Sequence, residues 1–471
     1  MTYRVYSMGV SGDTETPITL YKKIVGKQKG FLFETQTKEG KYSIIGMPTY
    51  TITWEKGLYR ENIKGDKERI GTHIKDLQAY MEPMMTQANN IPFAGGLVGG
   101  ISYDILDQWI PLSNSSQDFL HIPQLHLFDV REWIVYDHQN QTICLGVLEE
   151  DTQEGEARGK EKLRIQMQQI EQTKQIDFLT IPKDKKVGRL KKHLEKEVFI
   201  DRVKKAQAYI QEGSLNQVVL SLRWSIEAKV NGFQLYRHLR EINPSPYLFY
   251  FNFGTYQVAG SSPEMLVKLE QGTIYYCPIA GTSKRGQTKE EDREKIEALR
   301  KDPKEQKEHG MLVDLGKEEL KRVSIPDSVF QITSMEVKKY SHVMHLESMM
   351  KGEKEKNQNM LSILTTFLPA GTLSGTPKRK AIQVIDQLER EKRGLYGGGV
   401  GYLGYNNQMD FGIAIRMMIL QGQKIYLQAG AGIIEDSEPE KEYKECCNKL
   451  LATLKAIERE IEIISLPFNQ E

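Results

Sequence analysis

Between Gly399 and Ala429 three apolar runs, Gly399–Tyr405, Gly412–Leu420 and Lys424–Ala429, follow one another with too little chain between them for a helix. Strands joined this tightly cannot be parallel neighbours linked by helical crossovers. Further strands are expected at Gln217–Leu222, Tyr247–Phe253 and Thr273–Cys277, interleaved with helices near Lys289–Lys301, Pro303–Leu315, Met360–Phe367, Pro377–Leu388 and Glu438–Glu460. The expected class is therefore α+β, with a large, mostly antiparallel sheet under helices.

The first 150 residues alternate short apolar runs with turns: Gly30–Glu34, Tyr42–Gly46, Gly95–Asp104 and Glu132–Tyr136 read as strands, and Ile18–Ile24 as a helix. Residues 151–194 are dense in charge and glutamine, with an exposed helix expected around Gly155–Gln172 and a polar run at Lys183–Lys192, and they read as a connection. Residues 195–465 follow as a second unit. It opens with Val198, Val203, Ala206 and Ile210 at helical spacing, then Gly213 as a helix-ending glycine.

The 64 basic residues balance 63 acidic ones, so net charge argues for neither a nucleic-acid groove nor an anionic membrane surface. No run of 18 residues is apolar without charge, and the N-terminus has no secretory core, so a cytoplasmic location without membrane insertion is expected. Cys144, Cys277, Cys446 and Cys447 lack metal or redox spacing and read as reduced, non-catalytic thiols.

Chemistry concentrates near the C-terminus. Gly371-Thr-Leu-Ser-Gly-Thr-Pro-Lys378 opens a helix, and Gln428-Ala-Gly-Ala-Gly432 reads as a second glycine-rich turn. Both offer backbone N–H groups to an anion. Neither fits a nucleotide motif: the first lacks a Gly-Lys-Ser/Thr ending, and the second has Glu435 where a dinucleotide fingerprint needs glycine. Glu442 and Glu445 stand three apart on the last helix, and Glu305 and Glu308 repeat that spacing, so two helices can each turn a carboxylate pair toward one hard cation such as Mg2+. The competing reading is helix capping, by Asp302 with Glu305 and by Ser437 with Glu440. Glu264, just after a strand and turn, suits a half-buried acid with raised pKa or a surface turn. His342 and His345 suit a base, a core position or, weakly, zinc. Arg416 breaks an apolar strand and needs a carboxylate or a ligand.

In chain order, Pro278-Ile-Ala-Gly-Thr282, Glu308-His-Gly-Met-Leu-Val-Asp-Leu315, Tyr340-Ser-His-Val-Met-His345, Pro369-Ala-Gly-Thr-Leu-Ser-Gly375, Tyr396-Gly-Gly, Gln428-Ala-Gly-Ala-Gly432 and Glu440-Lys-Glu-Tyr443 resemble the chorismate-utilising enzymes, and among them the large component of anthranilate synthases. The N-terminal half is similar more loosely, through Thr16-Pro-Ile-Thr-Leu20, Phe31-Leu-Phe-Glu-Thr35 and Gly40-Lys-Tyr-Ser-Ile-Ile-Gly46.

The resemblance implies a large two-layer α/β fold with the active site between its sheets. It implies Mg2+ bridging Glu305, Glu308, Glu442 and Glu445 to the ring carboxylate of chorismate. Thr372, Tyr396, Arg416, Gly430 and Gly432 would hold the substrate's carboxylates, and Gly281 and Thr282 would line the pocket. Glu264 would be the general acid and His345 the proton-transfer group of the elimination, leaving His342 structural. Asn243-Pro-Ser-Pro-Tyr247 and Leu32-Phe-Glu-Thr35 resemble the family's tryptophan-binding segments, which nominates Glu34, Thr35, Asn243, Pro244, Ser245 and Tyr247. The departures there, Phe33 and Thr35, bear on inhibition, and the first segment is also simply a good turn.

Relatives that add water carry a lysine where this chain has Gln217, which points to ammonia as the nucleophile. Ala280 points to anthranilate over aminodeoxychorismate, the runner-up product. No glycine-flanked nucleophilic cysteine is present, so a separate glutamine amidotransferase subunit is the expected ammonia source. Lys317-Glu318-Glu319 and Ser283 depart from the family pattern and leave an impaired, chorismate- or tryptophan-binding paralogue as the alternative of another class.

Overall fold

The structure, a computed structural model, describes residues 2–37, 40–88, 91–112, 116–172, 178–339 and 343–464. Tyr340 and His342 lie outside the described residues.

Two sheets of 13 and 12 strands face each other. Almost every strand pairing is antiparallel; Lys186–Lys192 beside Ile461–Ile464 is parallel. Alternation along each strand explains the layering. In Gly30–Thr37, Phe31 and Phe33 point into the apolar layer between the sheets with Phe249, Phe251 and Phe411. Leu32 points the other way, into a second core with Leu248, Tyr250 and Tyr236 of the helix Gly232–Ile242. Successive side chains alternate faces, so a strand covered on both sides needs apolar residues at both parities, as Phe-Leu-Phe supplies. Helices Pro17–Ile24, Lys196–Gln211, Gly232–Ile242 and Pro439–Glu458 cover the outer face of the 13-stranded sheet through this second core.

Both sheets mix early and late chain. Gly96–Ile101 pairs with Gly399–Gly404, and Gly30–Thr37 with Tyr247–Asn252. The stretch expected to be only a connection contributes to the fold at two places. Helix Gln153–Glu171 buries Leu163 and Ile170, and the polar run Lys186–Lys192 is a strand bonded to Gln217–Glu227. Paired on both sides but with most of its side chains exposed, this strand carries little apolar signal, so charge content concealed it.

Helices Lys289–Lys301 and Met360–Phe367 have the expected bounds, while the one expected to end at Leu315 runs on as Pro303–Val323. Three local readings change. Gln428–Gly432 is no turn but part of the strand Lys424–Ile433, paired with Gln217–Glu227. The run 412–420 is two strands, Met409–Ile413 and Met417–Gln421, lying in different sheets. Ser437 does not cap the last helix: its Oγ accepts from the Ile434 amide, and Glu438 takes the cap position without a side-chain bond.

Candidate active site

Glu264 and Arg416 share a structural origin. Chain leaves the 13-stranded sheet after Gln257–Ser262 and enters the 12-stranded one at Met265–Glu270; Glu264 sits in that crossing. Chain returns between Met409–Ile413 and Met417–Gln421, and Arg416 sits in that crossing with φ +51°. The two crossings are bonded together, Ser261 N to Arg416 O at 3.1 Å and Ile413 N to Glu264 O at 2.9 Å. An acid and a guanidinium are thereby fixed side by side where the sheets separate.

Glu264 is 8% exposed, and the Thr372 hydroxyl donates to its Oε1 at 2.9 Å. Burial raises its pKa to about 8, against the opposing pull of the Thr372 bond and the Lys449 and Arg416 charges. The carboxyl is therefore protonated at neutral pH, which a general acid requires. Arg416 donates from Nη1 to the Lys449 carbonyl at 2.7 Å, and burial lowers its pKa while Tyr396, Glu445 and Glu264 raise it.

Lys449 was not singled out in the sequence. Its Nζ bonds Gly430 O at 2.8 Å and pairs with Glu445 at 2.7 Å. Its place four residues after Glu445 on the same helix was the available signal. Gly430 and Gly432 face the same side of their strand. A Cβ at Gly430 would stand 2.9 Å from the Tyr396 hydroxyl, and one at Gly432 would stand 2.7 Å from Gln217 Nε2. These glycines make room; they do not form an anion-binding turn.

His345, in strand Val343–Glu353, contacts Gly281 O through Nδ1 at 3.0 Å. A carbonyl only accepts, so Nδ1 carries the proton and the lone pair of the neutral ring lies on Nε2. Burial lowers the imidazole pKa, as does Arg416, while the Gly281 bond acts the other way. Gly281 has φ +65° at a bulge, and Thr282 is in register with His345. A Cβ on Gly281 would meet Glu305 Oε2 at 2.8 Å, so this glycine brings His345 and one carboxylate of the helix Pro303–Val323 to a common point.

Glu308 follows Glu305 on that helix, while Glu442, 7% exposed, and Glu445 lie on Pro439–Glu458. The one-turn helix Gly371–Ser374, carrying Thr372, touches both Pro303–Val323 and the strand Lys424–Ile433. Among the described residues no three His, Cys, Asp or Glu side chains close into a metal cage. Carboxylates, such as Glu305 beside Gly281, are the donor type that a hard cation such as Mg2+ takes, with part of its shell left to substrate and water.

The segments around Glu34 and Tyr247 are adjacent, with Glu34 in register with Leu248. Thr35 Oγ1 and Tyr247 OH donate to the two oxygens of buried Asp410 at 2.6 and 2.7 Å. Asp410 lies in Met409–Ile413, so these bonds tie one sheet to the other. Glu34 points to the opposite face, where Arg240 Nε and Tyr236 OH both donate to it at 2.5 Å and Lys41 pairs at 3.2 Å. Burial alone would raise its pKa, but these partners hold it down to about 2. The structure thus groups Thr35 with Tyr247 and separates Glu34 from them. Asn243 Nδ2 donates to Ser261 Oγ at 3.2 Å, Ser245 Oγ to Asn243 O at 3.4 Å, and Pro244 is exposed in the turn.

A family profile described as chorismate binding enzyme matches residues 29–455. Anthranilate synthase component 1 of Acetivibrio thermocellus is 41% identical, covering 97% of this chain and 96% of its own length. That of Aquifex aeolicus (strain VF5) is 38% identical over 95% and 93%. The crystal structure of anthranilate synthase component I from Streptococcus pneumoniae TIGR4 is 34% identical and superimposes with a TM-score of 0.78, covering 89% of this chain and 93% of that one. MenF, the menaquinone-specific isochorismate synthase of Escherichia coli, shares the fold at 19% identity, with a TM-score of 0.74 over 97% and 94% of the two chains. With a profile matched over most of its length and relatives aligned nearly end to end, this chain belongs to the chorismate-binding enzymes, in the group of anthranilate synthase component 1 proteins.

Proposed function

We propose that this chain converts chorismate and ammonia to anthranilate, pyruvate and water, the first committed step of tryptophan biosynthesis. The observation that carries the reading is the Glu264 carboxyl, buried, held by Thr372 and protonated to about pH 8 beside Arg416 and Lys449. Cations orient the dianionic substrate while a neutral acid faces the leaving hydroxyl.

Ammonia attacks ring C2, the double bond shifts, and the C4 hydroxyl leaves as water after taking the Glu264 proton. The proton on C2 is then removed as the C3–O bond breaks, leaving an aromatic ring and the enolate of pyruvate, which becomes pyruvate by taking up a proton at its methylene carbon; neutral His345, with its lone pair on Nε2, is suited to take the C2 proton. Tyr396, Arg416, Gly430, Gly432, Thr372, Gly281 and Thr282 line the substrate position. Glu305, Glu308, Glu442 and Glu445 would hold Mg2+, which would supply charge neutralisation for the ring carboxylate. Gln217, set against Gly432, offers no base to activate water, which favours ammonia. Residues 195–465 carry this chemistry, and 1–150 bring tryptophan recognition through Thr35, beside Tyr247. A glutamine amidotransferase subunit supplies ammonia.

The test is incubation of the chain with chorismate, Mg2+ and an ammonium salt, with product identified by mass spectrometry and fluorescence. Anthranilate plus pyruvate is expected. Aminodeoxychorismate without pyruvate, or unchanged substrate under all metal conditions, overturns the proposal.

A further inference from the structure

A cavity of about 490 Å³ opens on the strand pair Gln217–Glu227 and Lys424–Ile433, and none of the residues assigned above to chorismate, Mg2+ or tryptophan lines it. Its volume lies within the range of small-molecule pockets.

Its charges divide into committed and uncommitted groups. Glu389 is held by buried Arg393 at 2.7 and 2.8 Å and by the Ser221 amide at 2.7 Å. Glu391 takes Arg223 Nη1 at 3.0 Å, and Arg223 also bonds Gln428 Oε1. Both carboxylates therefore already have cationic partners. Two further guanidinium groups line the cavity, Arg202 from the helix Lys196–Gln211 and Arg390. Neither side chain makes a hydrogen bond or ion pair among the described residues. Arg202 is half-buried, and burial lowers its pKa against the opposing pull of the nearby Glu389 and Glu391 charges, which are bonded to other cations, so a bound anion would add the direct partner that neither carboxylate supplies. Leu194, Leu222 and the half-exposed Phe119 give the remaining wall apolar character.

We propose that this cavity is a second ligand site, separate from the chorismate site, that binds a small organic anion with Arg202 and Arg390 on its carboxylate or phosphate group and Phe119 against its apolar body. Guanidinium forks match either oxyanion in a bidentate fashion. The site rests on the cavity and its unpaired cations and stands whatever product the enzyme makes.

The test is calorimetric titration of the full chain with benzoate, phenyl phosphate and inorganic phosphate, in wild type, Arg202→Gln and Arg390→Gln. Both substitutions lie on partly or fully exposed side chains, and circular dichroism checks folding. Saturable binding is expected, weakened about tenfold or more in each variant by loss of a charge-assisted bond, and unchanged when chorismate is added without ammonia or Mg2+. Tighter benzoate identifies the carboxylate source and tighter phenyl phosphate the phosphate source. Inorganic phosphate binding as well as either aromatic probe would remove the role given to Phe119. Failure of every probe to saturate below roughly 1 mM, equal binding in folded variants, or displacement by chorismate overturns the proposal.

Discussion

Replacing Glu264 by glutamine keeps the side chain's size and its place beside Thr372 while removing the proton and the titration. The pKa of this carboxyl rises from 4.5 to about 8 on burial, which corresponds to about 5 kcal/mol between its two protonation states. Because the folded value lies above the unfolded one, the group's contribution to stability is full below pH 4.5 and is lost progressively as pH rises to about 8. Between pH 6 and pH 9 the wild type should lose roughly 3 kcal/mol that Glu264→Gln does not lose, measured as the difference in urea unfolding free energies. In turnover, the variant should fall by about 10²–10⁴-fold, the usual worth of a positioned acid. The wild-type rate should decline above about pH 8 as the acid ionises. The assay follows anthranilate fluorescence with free ammonia held constant across pH, so that ammonium deprotonation does not imitate the effect. A variant retaining a third of wild-type activity, or showing the same alkaline limb and the same stability curve as wild type, would refute the reasoning.

Three further outcomes are expected. Gly430→Ala sets a methyl 2.9 Å from the Tyr396 hydroxyl and 2.7 Å from Leu220 O, so the chorismate KM should rise about tenfold while stability falls by about 1–3 kcal/mol, read by initial rates and thermal melting. Glu34→Gln removes a carboxylate held at about 2 by Arg240 and Lys41; a lowered pKa contributes stability above about pH 4.5 that is lost as pH falls through 2, so the variant's deficit, about 3 kcal/mol at neutral pH, should close in acid denaturation. Chelation with EDTA should abolish turnover and Mg2+ restore it, with Glu442→Gln raising the half-saturating Mg2+ concentration about tenfold in an activity titration.

Much of the site could be read from local pattern because its parts are local. Helical spacing placed Glu305 with Glu308 and Glu442 with Glu445, and local pattern gave the helices Lys289–Lys301 and Met360–Phe367 their bounds. The motif order gave the family and with it the expectation of facing sheets. Other parts were hidden in the same residues. Gly430 and Gly432 read as a turn because glycine commonly marks one, yet here they are strand positions where a neighbouring hydroxyl and amide leave no space for Cβ. The run 412–420 read as one strand because both halves are apolar, and periodicity carries no mark of which sheet a strand joins.

The sequence by itself determined many of the helices and strands, which carboxylates share a helix face and which family the chain belongs to, since these depend largely on local pattern and motif order. Tertiary structure alone decided that Glu264 and Arg416 lie at bonded crossings between two sheets, that Lys449 joins them, that Thr35 and Glu34 serve opposite faces, and that Glu264 holds its proton. Each of these depends on chain that is distant in sequence: desolvation and charge pairing act through space, and residue order specifies them only once the sheets have closed on each other.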